Sequence, residues 1–577
     1  MSCDTDGLPF PEFASVLPAA DRGNLSRLSP SEVRSWTVAR ADEYCKFALA
    51  LLAIHNTAVS IHRPPNELLS HIFAHSWHGR KSLRLTHVCR RWRQALLATP
   101  EFWADAVGGE EFCMDGKSCT PLEYLHSILQ RSARLPIQPS FAHFTPALSR
   151  TLEPHLWRIS TLAVRTRTPY EVAEIHGMLR KGMPVLAKLI VRHELQEGHY
   201  VREDRHAPPE MGPLPSHALP CLSHAELPSL LFFHISVPSL RRVRLGRGRY
   251  HDHDNSVISM PVAGVLAALA RCPGLVRLEL SSAITSFPIQ PREADRAVAL
   301  PALEFFQIED SSSGVSALMP HIVFPPSTRV HIGGTDMDNL RPALMYVVTA
   351  DIDHVAITVG HGPTLMQCRS GTEERLRVKS HPTSAGIQGL ADALRSKASI
   401  TELEWIRTQE YAGETLYLPL ILCTLQNITS LTVSGFDADG VLDVLKTSDD
   451  SPPVCPHLGR LILGFLSSYT LSWYFLDAEG LPQEAVPEAT TSVSSRCARI
   501  QPMLEARASR IGSRLTYLEL YEFSKPQRGF TSLRLVTIEK TSPFWTSVEP
   551  SLQALRSLVD GPVMFGGFKT EINPPDP

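Results

Sequence analysis

"CPGLVRLEL", residues 272–280, carries Leu275, Leu278 and Leu280 in the spacing L-x-x-L-x-L. The last two leucines flank Glu279, and that apolar–polar alternation is the pattern of a short strand with one buried face. The spacing returns in "MPVLAKLIV" (183–191), "VPSLRRVRL" (237–245), "LPALEFFQI" (300–308), "LQNITSLTV" (425–433), "CPHLGRLIL" (455–463), "GSRLTYLEL" (512–520) and "FTSLRLVTI" (530–538). Helical-looking stretches, "VAGVLAALARC" (262–272) and "GIQGLADALRSKAS" (386–399), lie between some of them. The recurrence predicts strand-plus-helix units stacked along one axis. Units start 28 residues apart at Leu275 and Leu303 but 57 apart at Leu458 and Leu515, so the array is irregular and carries insertions.

One strand and one helix per unit resembles the leucine-rich-repeat plan, although the asparagine or cysteine that usually follows the strand is absent here. The fold class expected is therefore α/β, an irregular leucine-rich-repeat-like solenoid over residues 151–560, with a polar insertion or disordered loop near 477–497 and a Gly/Pro-rich tail at 561–577. Residues 311–400 are the least legible part. If Val243, Leu245, Leu278 and Leu280 point inward, the residues between them line an exposed face, where repeat proteins usually bind partners. On that face fall Arg242, Arg244, Arg277, Glu279, Phe305, Tyr517 and Glu519. Their mixture of charge, aromatic ring and hydroxyl suits a protein ligand better than a nucleic acid. The arginines from Arg241 to Arg249 are the one feature suited to an acidic or phosphorylated ligand, with plain solvated arginines as the bland alternative.

Upstream the periodicity changes from two to about 3.6. Residues 1–28 read as loop, and 29–60 as a leading helix capped by Ser29 or Ser31 and covered on one side. In 61–107 a first helix begins near Pro65 and carries Leu68, Leu69, Ile72 and Phe73. A second helix, capped by Ser82, carries Leu85, Val88, Cys89, Trp92 and Leu96 until Pro100 ends it. Cys89 then lies on an apolar stripe, which favours a packed thiol over a nucleophile. So few helices bury little surface, and an apolar remainder offered to a partner is expected. Residues 108–150 read as a connector.

"IHRPPNELLSHIF" (61–73) followed by "LTHVCRRWRQALLATPEFWADAV" (85–107) resembles the F-box in the variant common among fungi, where a Pro-x-Glu-Leu-Leu-x-x-Ile-Phe helix precedes Val-Cys-x-x-Trp and Thr-Pro-x-x-Trp. Pro64 stands where that family usually has leucine. The resemblance extends to the whole layout, since many fungal F-box proteins continue into a leucine-rich-repeat-like region. It implies docking on the Skp-type adaptor of a cullin-RING (SCF) ubiquitin ligase through Pro65, Leu68, Leu69, Ile72, Val88, Cys89 and Trp92. The repeat region would then hold a protein substrate for ubiquitin transfer by other subunits. A repeat scaffold without any ligase role is the competing class.

Composition fits this picture. A net charge of −3 over 577 residues argues against a protein built to wrap polyanions. No apolar run approaches the roughly eighteen residues of a membrane span, and "MSCDTDGLPFPEF" lacks a secretory pattern, so cytosol or nucleus is expected. Eleven dispersed cysteines without a C-x-x-C pair suit buried thiols rather than disulfides or zinc. His251, Asp252, His253 and Asp254 have metal-ligand types but no third and fourth partner at a defined spacing. No phosphate-binding, metalloprotease or nucleophile-elbow motif occurs, so neither enzyme nor cofactor is expected.

Overall fold

The computed structural model describes Phe13 and residues 15–572 apart from 59–63, 109–121, 194–210, 216, 247–259, 285–296, 337–350, 361–362, 382–388, 390–391, 395–399, 408–416, 447–451, 468–485, 525–531 and 537–542. It divides into two units, Met1–Ser140 and Phe141–Pro577.

The first unit is helical. Helix α1 (Ala19–Leu25) lies on α2 (Pro30–Ala58), whose start is closed by Ser29, with the Glu32 carboxylate accepting from the Ser29 N–H at 2.9 Å. Leu25 packs on Val33 and Trp36, and buried Asp21 accepts from Arg40 at 2.9 Å and from the Tyr44 hydroxyl. The cover expected along one side of α2 stops there, because α1 is only seven residues long; Phe47, Leu49, Leu51, Leu52 and Ile54 are exposed.

Next come α3 (Asn66–Ala74), a 3-10 segment (Arg80–His87), α4 (Arg90–Leu97) and α5 (Pro100–Gly108). The continuous second helix expected from Ser82 to Leu96 is broken at Cys89. Its backbone is extended, and its sulfur accepts the Trp92 N–H at 3.4 Å, satisfying one of the otherwise orphaned donors of the first turn of α4. Ser82 instead closes the preceding loop, accepting from the His78 N–H at 2.8 Å and donating to the Ser76 carbonyl at 3.1 Å. The stretch expected as a connector contains a further helix, α6 (Leu122–Arg131), whose Leu125, Ile128 and Leu129 are buried.

The second unit turns the L-x-L alternation into a sheet. Strands β1 (Thr161–Thr166), β2 (Lys188–His193), β3 (His224–Leu227), β4 (Arg242–Gly246), β5 (Arg277–Ser281), β6 (Phe305–Glu309) and β7 (Arg329–Asp336) pair parallel, each with the next. Helices α7 (Pro169–Arg180), α8 (Ser229–Ile235), α9 (Val262–Leu269) and α10 (Ser312–Leu318) make crossovers between them. The run breaks in the span that the sequence left illegible. There β8 (His354–Val359), β9 (Thr364–Ser370) and β10 (Glu373–His381) form an antiparallel meander, β10 returning beside β7.

Parallel pairing resumes from β8 through β11 (Glu402–Arg407), β12 (Ser430–Gly435), β13 (Arg460–Ser467) and β14 (Tyr517–Ser524). Helices α11 (Tyr417–Thr424), α12 (Asp437–Lys446) and α13 (Val486–Ile511) intervene. Two expectations change at this end. Most of the polar stretch near 477–497 opens α13 from Val486 onward, and 561–577, read as a tail, contributes a strand. After β15 (Ser532–Val536) and α14 (Pro543–Arg556), β16 (Val563–Ile572) pairs parallel with β14 and antiparallel with β15. "FTSLRLVTI" is therefore an antiparallel edge and not a further parallel strand.

Register makes the sheet one structure. Leu189, Ala225, Val243, Leu278, Phe306, Val330, Leu376, Cys368, Val355, Leu403, Leu431, Leu461, Leu518 and Val563 stand opposite one another in a single buried row. A second row two residues on, through Leu245, Leu280, Ile308, Ile332, Val378, Met366, Ile357, Trp405, Val433, Leu463 and Leu520, is equally buried. The residues between these rows form an open, mainly polar face. "GIQGLADALRSKAS" lies largely outside the described residues.

Candidate functional site

The residues singled out between Pro65 and Val107 fall into two sets. Leu69 and Phe73 are 2 % exposed and Leu96 is fully buried, whereas Leu68, Ile72 and Val88 are 54 %, 56 % and 50 % exposed. A nine-residue helix explains the division. Leu69 and Phe73 are four apart and share the inward stripe, while Leu68 and Ile72, also four apart, form a parallel stripe one position round. The inner stripe joins Phe102 and Trp103, with Phe102 edge-on to both Trp77 and Trp103 at 5.2 Å and the Trp103 indole donating to the Leu96 carbonyl at 2.8 Å.

Trp92 and Cys89 are half-buried, Trp92 meeting Phe73 edge-on at 5.2 Å. Pro65 is exposed at the start of α3. Pro64 contributes through its backbone: Arg91 donates to its carbonyl at 2.5 Å and to Asn66 Oδ1 at 3.1 Å, tying the entry of α3 to α4. What results is a small core with three large aliphatic side chains left facing water. Leu97 on α4 is also 37 % exposed and was missed from the sequence.

On the open sheet face, Arg242, Arg277 and Phe305 stand in one row of adjacent strands, with Arg244 and Glu279 in the next. Arg242, Arg244 and Arg277 are exposed; Glu279 is half-buried because it accepts from Arg277 at 2.5 Å and faces Arg244 at 3.5 Å. Phe305, expected to be exposed, is covered: the Arg277 guanidinium lies 4.2 Å from its ring centre, Arg329 5.9 Å, and His331 meets it edge-on at 4.8 Å. Tyr517 and Glu519 share the face but not the place. They are hydrogen-bonded to each other at 2.9 Å and lie eight strands from Phe305, about 38 Å at the usual strand spacing.

Between the two groups lies a hub the sequence did not disclose. Glu374 accepts from Arg377 at 2.8 Å and Gln367 at 3.0 Å and meets His331 at 2.9 Å; burial raises its carboxyl, but Arg377 and His331 together outweigh this and hold it below the usual carboxylate range. Only the polar alternation of "EERLRVKS" hinted at it.

The thiols expected to be buried divide: Cys45, Cys221 and Cys423 are exposed, whereas burial pushes Cys272, Cys368 and Cys455 up to about 12 and Cys497 up to about 11, which makes these four chemically quiet. Arg247 to Asp254, including the His/Asp tetrad, lie outside the described residues; among the described residues no group of three metal-ligating side chains occurs and no helix is long and apolar enough to cross a membrane.

No curated protein matches the chain. Residues 65–107 match the F-box-like family, the stretch that builds the aliphatic surface of Leu68, Ile72 and Val88. F-box domains typically bind Skp-type adaptors, so the chain carries an F-box-like domain that points to an adaptor role of the SCF type in general.

Proposed function

We propose that the protein is a substrate-recognition subunit of an SCF-type ubiquitin ligase. The F-box-like domain docks on the Skp-type subunit, and the sheet unit, read as an irregular leucine-rich-repeat-like solenoid, holds a protein substrate on its open face. The chain supplies proximity and no catalytic group: it raises the concentration of substrate near a conjugating enzyme carried by other subunits, in the cytosol or nucleus.

The observation that carries this reading is the exposure of Leu68, Ile72 and Val88 beside a core that does not need them. Docking takes such aliphatic surface out of water, and truncating a side chain that becomes a central anchor can cost about 2 kcal/mol or more of binding. The half-buried Trp92 and Cys89 and the exposed Pro65 are part of the same proposed docking region, and Leu69 belongs to the domain's own core.

The test is co-purification with a Skp-type adaptor, comparing the natural chain with Leu68→Asp/Ile72→Asp, both checked by circular dichroism. Stoichiometric binding by the natural chain, lost in a folded variant, is the expected result; a folded natural chain that fails to bind overturns the reading. A scaffold without ligase function draws on the exposed Phe47, Leu51 and Ile54 of α2. It predicts homo-oligomers in light scattering and no adaptor complex.

A further inference from the structure

The open face of the sheet is electrically divided. From β2 to β7 its first row reads Lys188, His224, Arg242, Arg277, Phe305, Arg329, each opposite the next. The second row reads Ile190, Glu226, Arg244, Glu279, Gln307, His331. Five cations stand there against two carboxylates. On β11 to β14 the equivalent rows hold Glu402, Glu404 and Glu519 against Arg460 alone. The basic end occurs in a chain whose net charge is −3, so it is a local concentration and not a general bias.

Like charges on adjacent strands repel, and a sheet normally interleaves them with opposite charges. Here the two carboxylates are already engaged. Glu226 accepts from Arg192 at 2.9 and 3.3 Å, and Glu279 lies between Arg277 and Arg244. Among the described residues Lys188, Arg242 and Arg329 pair with no carboxylate, and Arg242 and Arg329 are exposed. Lys188 and Arg242 add to burial in holding the His224 imidazole below its usual range, so the row's positive field reaches its own members. Towards the far end of the row the Phe305 ring lies between Arg277, 4.2 Å from its centre, and Arg329, 5.9 Å from it.

We infer that this row binds an extended acidic segment, rich in Asp and Glu, of a protein partner; the inference rests on the proposed role of the open face as the substrate-holding surface. The chain's own carboxylates show the chemistry the face accepts. A carboxylate from the second row settles where two guanidinium groups converge, and the unmatched cations stand apart along the row. A phosphate group takes several converging donors at one point, whereas Lys188, Arg242 and Arg329, spaced two and three strands apart, match monoanions spaced along a chain. From β2 to β7 is five strand steps, about 24 Å, which an extended segment of about seven residues spans.

The test uses the full chain and fluorescence anisotropy with a labelled peptide of about eight glutamates, a phosphoserine peptide of equal net charge and a single-stranded oligonucleotide. The expected outcome is that the glutamate peptide binds best at equal charge and weakens as salt rises. Arg242→Ser/Arg329→Ser, at two exposed positions and checked for unchanged folding by circular dichroism, then weakens it about tenfold or more, while Arg460→Ser changes it little. Absence of binding, equal binding by the double variant, or tighter binding of the phosphopeptide or oligonucleotide overturns the inference. Adaptor co-purification of the same natural chain separates the two proposals: if it takes the peptide but no adaptor, the ligase role fails and the acidic-segment site stands, and if it takes the adaptor but no peptide, the acidic-segment site alone fails.

Discussion

Leu68 and Leu69 are neighbours in sequence and opposites in exposure, and this pair shows what side-chain identity alone leaves open. Both suit the apolar stripe of α3, but a stripe two residues wide on a short helix has one edge inside and one edge out. Leu69→Ala or Phe73→Ala removes atoms from a filled core and is expected to destabilise the F-box-like domain by about 3 kcal/mol. Leu68→Ala removes atoms from water and is expected to change stability by less than about 0.5 kcal/mol while weakening adaptor binding. Urea unfolding followed by tryptophan fluorescence, in parallel with adaptor titration, checks both; equal destabilisation by the two leucine changes contradicts the division of roles.

At the level of elements, the legible parts are those where leucine marks the buried period of two. "LVRLEL" and "LTYLEL" became β5 and β14 because their alternate leucines bury fully against the helices. Strands β7 and β9 went unread because their inward positions are Val330, Ile332, Met366 and Cys368, which complete the same rows without repeating the motif. The helix break at Cys89 was hidden for a different reason: the apolar spacing runs on through it, and a thiol is not a residue by which helix starts are recognised.

Backbone demands were equally silent. Gly435, at the end of β12, has φ +96°, and a Cβ there meets the Arg407 carbonyl oxygen at 1.7 Å. Gly435→Ala must shift β11 against β12 as well as adopt a disfavoured φ, and is expected to lower stability by about 2 kcal/mol or more. Differential scanning calorimetry reads this directly. An unchanged melting temperature contradicts the close approach of the two strands.

For the molecule as a whole, burial keeps several imidazoles neutral. His176 and His234, 5.5 Å apart on α7 and α8, are both held below the ordinary histidine value of 6.5, first by burial and then by neighbouring positive groups. Burial acts the same way on His331, on the open face. Unfolding exposes these rings, so below about pH 6.5 the unfolded chain takes up protons that the folded chain does not. Stability is therefore full above the unfolded value and falls as pH drops from about 6.5 toward the lower folded values. Urea midpoints measured across that window are expected to decline with acidification, and His176→Leu/His234→Phe to flatten the decline; a midpoint that rises on acidification contradicts the assignment.

The meander of β8, β9 and β10 is also a matter of folding rate. Its paired strands are joined by connections of only four residues, 360–363, and two, 371–372, with Gly371 at φ +59° supplying the tight turn. Elsewhere among the described residues, paired strands are separated by longer stretches of chain, so their contacts form against a larger loop-closure entropy. The meander is therefore the natural seed of the sheet, presenting β10 to receive β7 on one side and β8 to receive β11 on the other. Growth outward in both directions from a central seed makes the two ends of the sheet the last to form and the first to open. Pulse-labelled hydrogen exchange during refolding is expected to protect Val355, Met366 and Val378 ahead of Leu189 and Leu518; the reverse order removes the seed from the middle of the chain.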